Sequence, residues 1–208
     1  MKLVSLVSSG IDSPVATYVL SSQVDHIVLV HADNTPFVDS RELENFRTLA
    51  THLKNCCHCK ITAINIPHGQ ALTELQTKCT TRFLCVLCKR MLVRYADALA
   101  LQYKSPGIIM GDSLGQVASQ TLQNLHVVEQ ATALPLLRPL IGYDKEEIIR
   151  IAREIGTYEL SIAPSSGCTA VPNKPATKAT LETILEEEKN INVSQLVHSA
   201  LEASSSLF

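Results

Sequence analysis

Lys2-Leu-Val-Ser-Leu-Val-Ser8-Ser-Gly-Ile-Asp-Ser13-Pro-Val-Ala16 is the stretch whose reading decides the fold. Leu3, Val4, Leu6 and Val7 form a short apolar run of the kind expected for a strand of a parallel sheet covered on both faces. Residues 8–13 are mostly small, and Pro14 suits the first turn of a helix, where its missing N–H costs nothing. Backbone N–H groups of such a strand-to-helix turn, with the helix N-terminus behind them, converge on negative charge. A phosphate is the natural ligand.

No Gly-Lys-Ser/Thr ends this loop, so it does not deliver a lysine to the β and γ phosphates in the way of a Walker loop. It resembles instead the pyrophosphate loop, Ser-Gly-Gly-x-Asp-Ser, of ATP pyrophosphatases, which split ATP into AMP and pyrophosphate. Ser9 departs from that pattern by replacing the first glycine, so the backbone there must accept a Cβ. A serine-rich turn that merely joins a strand to a helix is the plain alternative.

Working outward, a first helix is expected over residues 14–23, and His26-Ile-Val-Leu-Val-His-Ala32 reads as a second buried strand stopped by Asp33, Asn34 and Pro36. Leu43, Phe46, Ala50 and Leu53 mark one face of the next helix, and Lys60-Ile-Thr-Ala-Ile-Asn-Ile66 resumes a strand. The pattern is βαβαβ with a right-handed crossover. Ligands of such open sheets bind beyond the carboxyl ends of the strands, which puts residues 8–13 and 31–37 on one rim. On its residues alone, His31 is read as a structural histidine whose backbone matters more than its ring.

Leu87, Met91, Tyr95, Ala98 and Leu99 suggest an amphipathic helix over residues 85–103. A strand at residues 107–110 and a polar loop at 111–120 follow, and prolines 135 and 139 limit residues 134–140 to a short strand leading into a loop. Asp144 and Glu147 pair as a capping box before the stripe Ile148, Ile151, Ala152 and Ile155, with Gly156 closing the helix. Lys145 therefore sits at the mouth of that helix. Residues 165–175 have the composition of an ordered loop. Leu181, Ile184 and Leu185 beside Glu186-Glu-Glu188 suggest surface helices with an acidic outer face, and residues 204–206 read as a frayed tail.

At 208 residues the chain holds one α/β domain with a sizeable core, or a domain with a short appendage. Hydrophobic residues make up 46% and the formal charge is −2, without the basic excess of an autonomous nucleic-acid binder. No signal-peptide pattern and no membrane-length apolar run is present, so a cytoplasmic protein that does not associate with membranes is expected. In a reducing compartment its seven cysteines are expected as ligands, catalysts or core residues rather than as a disulfide framework.

Four segments together carry a more specific resemblance: Ser8-Ser-Gly-Ile-Asp-Ser-Pro-Val-Ala16, Cys85-Val-Leu-Cys-Lys-Arg-Met91, Gly111-Asp-Ser-Leu-Gly-Gln-Val-Ala-Ser-Gln-Thr121 and Leu137-Arg-Pro-Leu-Ile-Gly-Tyr-Asp-Lys-Glu-Glu-Ile148. In order and spacing they resemble the catalytic domain of the tRNA 4-thiouridine synthetases, the ThiI family, over residues 3–178. The resemblance implies an α/β fold of PP-loop type (adenine nucleotide alpha hydrolase-like, Rossmann-like), an open and mainly parallel sheet with helices on both faces. It divides the chain into a PP-loop domain, residues 1–178, and a helical appendage, residues 179–208, packed on it.

The implied activity is ATP-dependent: a uridine of tRNA is adenylated on its carbonyl oxygen, and sulfur then replaces that oxygen to give 4-thiouridine. Carried over by motif, Leu6, Val7, Ser8, Ser9, Gly10 and Ser13 hold ATP, joined by His31 and Ala32 and by Lys89, Gly111 and Gln120. Asp12 and Lys145 serve adenylation. A fixed cation and Mg²⁺ suit the negative charge that builds on phosphate oxygens in a dry site. On residue type alone Lys145 is an exposed lysine and Asp12 a loop cap.

Cys85-x-x-Cys88 at a helix start favours thiolate and reads as a ligand or redox pair. By resemblance Cys168 is the sulfur-handling cysteine, and in relatives without a rhodanese domain the three thiolates Cys85, Cys88 and Cys168 hold an iron–sulfur cluster with one iron open to sulfide. A zinc site completed by His126 or another cysteine, and a Cys168 persulfide with a Cys85/Cys88 redox pair, are the alternatives. Cys56, Cys57 and Cys59 around His58 are expected as surface or core thiols, and Cys79 as core. The family's THUMP region, which grips the tRNA acceptor end, is not recognisable here, so a separate RNA-binding subunit is expected to present the tRNA. Sulfide or a persulfide is the implied sulfur donor and a homodimer the implied assembly. Rival functions are thiolation of a small molecule in thiamine thiazole formation and a non-catalytic adenine-nucleotide-binding module.

Overall fold

The computed structural model describes residues 1–117 and 120–208. Three strands read from their apolar runs form the centre of a sheet: β1 (Lys2–Leu6), β2 (His26–Asp33) and β3 (Lys60–Pro67). They pair in parallel with β4 (Ile108–Ile109) and β5 (Leu136–Leu137), and β6 (Ser205–Ser206) closes one edge antiparallel. The order is β5-β4-β1-β2-β3-β6.

Alternation along each central strand explains the continuous apolar runs. Val4, Leu6, Val28, Val30, Ile64 and Ile66 belong to one core cluster, and Leu3, Val7, Ile27, Leu29, Ile61 and Ala63 to a second on the other face. The second cluster is roofed by α1 (Asp12–Ser21), α2 (Arg41–Cys56) and α6 (Lys145–Glu154). The first is covered by α3 (Gly69–Lys78), α4 (Leu84–Tyr103), α5 (Leu122–Glu129), α8 (Leu181–Glu188) and α9 (Val193–Glu202). A short α7 (Tyr158–Ser161) follows α6.

Helix α1 begins two residues before the expected position, so Asp12 and not Pro14 opens it. The capping box on α6 forms as expected, with Asp144 accepting from the Glu147 N–H and the Glu147 carboxylate accepting from the Asp144 N–H. Helix α4 is less amphipathic than its stripe suggested, because Val86, Arg90, Val93 and Ala96 are buried as well. Helices α3 and α5 had no expected counterpart.

The expectation of a frayed tail is overturned. Residues 204–206 are not frayed: Ser205 and Ser206 pair with Asn65 and Ile64, and the Leu207 N–H donates to the Ala63 carbonyl at 2.8 Å. The free edge of β3 offers unpaired backbone groups, and the tail satisfies them while Leu207 and Phe208 pack on the core. Residues 179–208 therefore supply a strand to the same sheet and Ile184, Leu196 and Ala200 to the same core as the preceding chain. Ala118 and Ser119, part of the loop read at 111–120, lie outside the described residues.

Candidate functional site

Where β1 lies between β2 and β4, successive connections leave the sheet in opposite directions and a crevice opens beyond the carboxyl ends. A cavity of about 330 Å³ fills it. Leu6 and Val7 line it from β1 and its end, and Ser8, Gly10, Asp12 and Ser13 from the loop and α1. His31 and Ala32 come from the end of β2, Lys89 from α4, and Gly111 and Gln120 from the segment after β4. Sequence reasoning missed Asn34, Glu42 and Asp112, which line it as well.

Ser9 does not line the cavity. Its hydroxyl donates to Glu42 Oε1 at 2.6 Å, so the residue that breaks the glycine pattern ties the loop to the first turn of α2. Within the loop, the Ser8 N–H donates to Ser13 Oγ at 3.0 Å, closing the turn at the α1 N-terminus. Gly111 lies against this turn: a Cβ there would stand 2.6 Å from Ser13 N and Cα. Only glycine lets the end of β4 approach so closely.

Charge is arranged on two sides. Lys145, first residue of α6, makes an ion pair with Asp12, first residue of α1. Deeper, Asp112 is 3% exposed and accepts from Lys89 Nζ at 2.7 Å and from Arg138 Nε at 3.4 Å. Lys89 is thus held in place before any ligand arrives.

His31 is buried, its ring stacked on Phe46 with centroids 4.1 Å apart. Burial holds its pKa below the ordinary histidine value, against the opposing effects of the Val7 carbonyl, Glu42 and Asp33. Nδ1 lies 3.1 Å from the Val7 carbonyl, which can only accept, so the neutral ring carries its proton there and Nε2 keeps a lone pair. Among the described residues four side-chain atoms are buried without a hydrogen-bond partner; Nε2 of His31, Oδ1 of Asn34 and Oε1 of Gln120 belong to residues that line the cavity, and Oδ1 of Asn65 lies on β3 outside the lining. Buried polar atoms left unpaired cost about 1–3 kcal/mol each, so this is a site built for a polar guest.

The cysteines lie next to it. Cys85 and Cys88 occupy the first turns of α4, and Cys168 sits in the long loop after α7. That loop is clamped to the chain beyond β2: the Thr169 N–H donates to the Phe37 carbonyl at 2.8 Å, and the Ser166 N–H to Asp39 at 3.2 Å. The helix start does not favour thiolate as expected. Burial raises the Cys85 thiol, and burial followed by Cys168 and Cys85 pushes Cys88 up to about 12. Cys168 contributes to raising both thiols.

His126, considered as a zinc ligand, is exposed on α5, and it is buried His68 that lies against Cys88. Among the described residues no three His, Cys, Asp or Glu side chains converge closely enough to hold a single metal ion. A mononuclear zinc site requires sulfurs about 2.3 Å from one centre, whereas a multi-iron cube spreads its thiolate ligands over its own width. Cys85, Cys88 and Cys168 offer thiol sulfur, the donor that either an iron–sulfur cluster or a zinc ion takes. Cys56, Cys57 and Cys59 lie at the far end of α2 and the start of β3, at the amino-terminal edge of the sheet away from the cavity. Cys79 is in the core.

The family model described as thiamine biosynthesis protein (ThiI) matches residues 1–193. The chain is 39% identical over 204 residues to a probable tRNA sulfurtransferase of Methanosarcina mazei, covering 98% of this chain and 50% of the relative. A protein of the same description from Thermus thermophilus is 41% identical over 202 residues, covering 96% and 50%. The chain thus spans about half the length of these curated relatives. Among solved structures it is similar to a 4-thiouridine synthetase–RNA complex with bound ATP, with TM-score 0.94 and 30% identity, covering 99% of this chain and 54% of that one. An NMN synthetase of Francisella tularensis, 15% identical with TM-score 0.56 over 96% of this chain and 80% of that one, shares the fold.

Proposed function

The chain belongs to the ThiI family, and from that premise we propose that it is an ATP-dependent sulfurtransferase that adenylates a uridine of tRNA and exchanges its oxygen for sulfur, forming 4-thiouridine. The observation that carries this reading is the convergence on one cavity of the 8–13 loop with Asp12, which pairs with Lys145 beyond the lining residues, and of three unpartnered buried polar atoms. The bound ATP and RNA of the similar 4-thiouridine synthetase complex support it.

In this reading the loop N–H groups and the α1 N-terminus hold the phosphates. The unpartnered atoms of His31, Asn34 and Gln120 take hydrogen bonds from the nucleoside, with Ala32 and Gly111 setting its walls. The uridine oxygen forms a bond to the α-phosphorus as the bond to pyrophosphate breaks. Lys145 and Lys89 face the negative charge that develops, in a site where fixed cations need no reorganisation. Asp12 orients Lys145 and offers oxygen ligands to Mg²⁺, which when bound would neutralise phosphate charge.

Cys85, Cys88 and Cys168 would hold an iron–sulfur cluster, which when bound supplies an iron free to carry sulfide. Sulfide or a persulfide is the sulfur source. With a formal charge of −2 the chain lacks the electrostatic grip of a self-sufficient RNA binder, so a separate RNA-binding subunit or region presents the tRNA. The working unit is proposed as a cytoplasmic homodimer; among the described residues no helix is long and apolar enough to cross a membrane. Residues 1–178 act as the PP-loop domain and 179–208 as its appendage.

The test is anaerobic incubation of the chain with ATP, Mg²⁺, sulfide and tRNA, with and without an added RNA-binding region of a full-length relative, followed by nucleoside mass spectrometry and pyrophosphate release. Asp12→Asn and Lys145→Ala are expected to lower pyrophosphate release by about 10²-fold or more, the scale of losing one transition-state contact. Release unaffected by both would remove the assignment. ATP turnover without 4-thiouridine would favour a second reading, thiolation in thiamine thiazole formation, for which the family's description speaks. ATP binding with no turnover would leave a nucleotide-binding module.

A further inference from the structure

Next to the cysteines stands a histidine with no part in the nucleotide site. His68 directly follows β3, and its backbone N–H donates to the Asp33 carbonyl at 2.8 Å. The side chain is wholly buried. Its ring bridges two elements' worth of chemistry: Nδ1 is 3.0 Å from the Tyr95 hydroxyl and Nε2 is 3.3 Å from Cys88 Sγ. Tyr95 is itself fully buried on α4, seven residues after Cys88.

An imidazole out of water whose hydrogen-bond neighbours, among the described residues, are a phenol and a sulfur stays neutral, so one ring nitrogen donates and the other accepts. Two arrangements satisfy it. Either Cys88 S–H donates to Nε2 and Nδ1–H to the Tyr95 oxygen, or the Tyr95 O–H donates to Nδ1 and Nε2–H to the sulfur. A thiol is a weak donor and a phenol a good one, and a sulfur that has become an anionic ligand can only accept. Both facts select the second arrangement.

We propose that His68 is a positioning residue of the sulfur centre, donating Nε2–H to the Cys88 sulfur in a tautomer held by the Tyr95 hydroxyl. The inference rests on the reading of Cys85, Cys88 and Cys168 as iron–sulfur ligands. Its consequence is electronic as well as geometric. A hydrogen bond to a ligand sulfur withdraws charge and favours the reduced, more negative cluster, so His68 raises the reduction potential.

The experiment reconstitutes the chain anaerobically with ferrous iron and sulfide and measures iron content, visible absorbance and midpoint potential for wild type, His68→Leu, His68→Gln and Tyr95→Phe. The expected result is an intact cluster in every variant and a negative shift in His68→Leu. His68→Gln, which keeps an N–H near the Nε2 position, should return toward wild type, and Tyr95→Phe should fall between. A His68→Leu cluster at the wild-type potential overturns the proposal and leaves the cluster reading intact. Should His68→Leu fail to fold, the Gln and Phe variants carry the comparison: wild-type potential in Tyr95→Phe then counts against the proposal. If wild type itself takes up no cluster, the cysteine reading fails, and the ring ¹⁵N spectrum of the cluster-free chain decides the hydrogen bond alone. Protonated Nε2 with bare Nδ1 supports it; the reverse overturns it.

Discussion

A methyl group at residue 111 would meet the backbone of Ser13 at 2.6 Å, and backbone cannot step aside as the tip of a side chain can. Either the end of β4 or the start of α1 must move, and the 8–13 loop moves with it. Gly111→Ala is expected to cost about 1–3 kcal/mol of stability, the usual effect of overpacking. Misplacing the loop by a fraction of an ångström should weaken ATP binding about tenfold or more. Gly142, with nothing within 4 Å of its Cβ position, is the control. Calorimetric titration with a non-hydrolysable ATP analogue compares the two, and equal affinities would show that the contact does not govern the loop. Ser9 teaches the same lesson with opposite sign: the Cβ that the glycine pattern forbids is accommodated because its hydroxyl finds Glu42.

Helix α4 carries Cys85, Cys88, Lys89 and Tyr95, so its placement decides the geometry of the cavity wall and of the proposed sulfur centre. It is held from outside by α8. Glu188 accepts from Arg90 Nε at 2.8 Å and Nη2 at 3.1 Å, and from Arg94 Nη1 and Nη2 at 2.7 Å each, while Arg90 Nη1 donates to the Val127 carbonyl. Burial alone would raise the Glu188 pKa, but the two guanidinium groups outweigh it and hold the carboxylate below its ordinary value. Glu188→Gln leaves two arginines uncompensated, one of them 1% exposed, and is expected to destabilise by about 3 kcal/mol, as breaking a buried ion pair does. Because the folded-state pKa is depressed, this contribution is complete above the unfolded value of about 4.3 and disappears as pH falls through the lower folded value. Urea midpoints should therefore differ between wild type and Glu188→Gln at neutral pH and converge in acid. A gap that persists unchanged at low pH would point to packing rather than charge.

The chain ends by returning to its own sheet. Removing residues 204–208 deletes β6, exposes the outer edge of β3 and takes away Leu207 and Phe208, the latter lying under Lys54 Nζ at 4.4 Å from its ring centroid. A loss of about 1–3 kcal/mol is expected, with increased self-association because an uncovered strand edge is a template for pairing. Denaturation midpoint and light scattering measure the two effects; a truncated chain as stable and monodisperse as the intact one would mean the edge needs no cover.

Across the whole molecule, local chemistry was legible wherever a signal is confined to neighbouring residues. Apolar runs announced β1, β2 and β3, the Asp144–Glu147 capping box set the start of α6, and the small residues 8–13 marked the turn from β1 into α1, because strands, caps and turns depend on contacts a few residues apart. What needed tertiary structure was every pairing across long separations. Asp12 with Lys145, Lys89 with Asp112, Ser9 with Glu42, His68 with Cys88 and the tail with β3 join residues between 20 and 142 positions apart. No periodicity encodes such contacts; the order of strands and the burial that follows from it create them. The sequence by itself thus determined a parallel α/β sheet with a small-residue turn at the end of its first strand, and the fold alone decided that this turn lines a cavity and which side chains face it, since that depends on desolvation and proximity that arise only when the sheet is assembled.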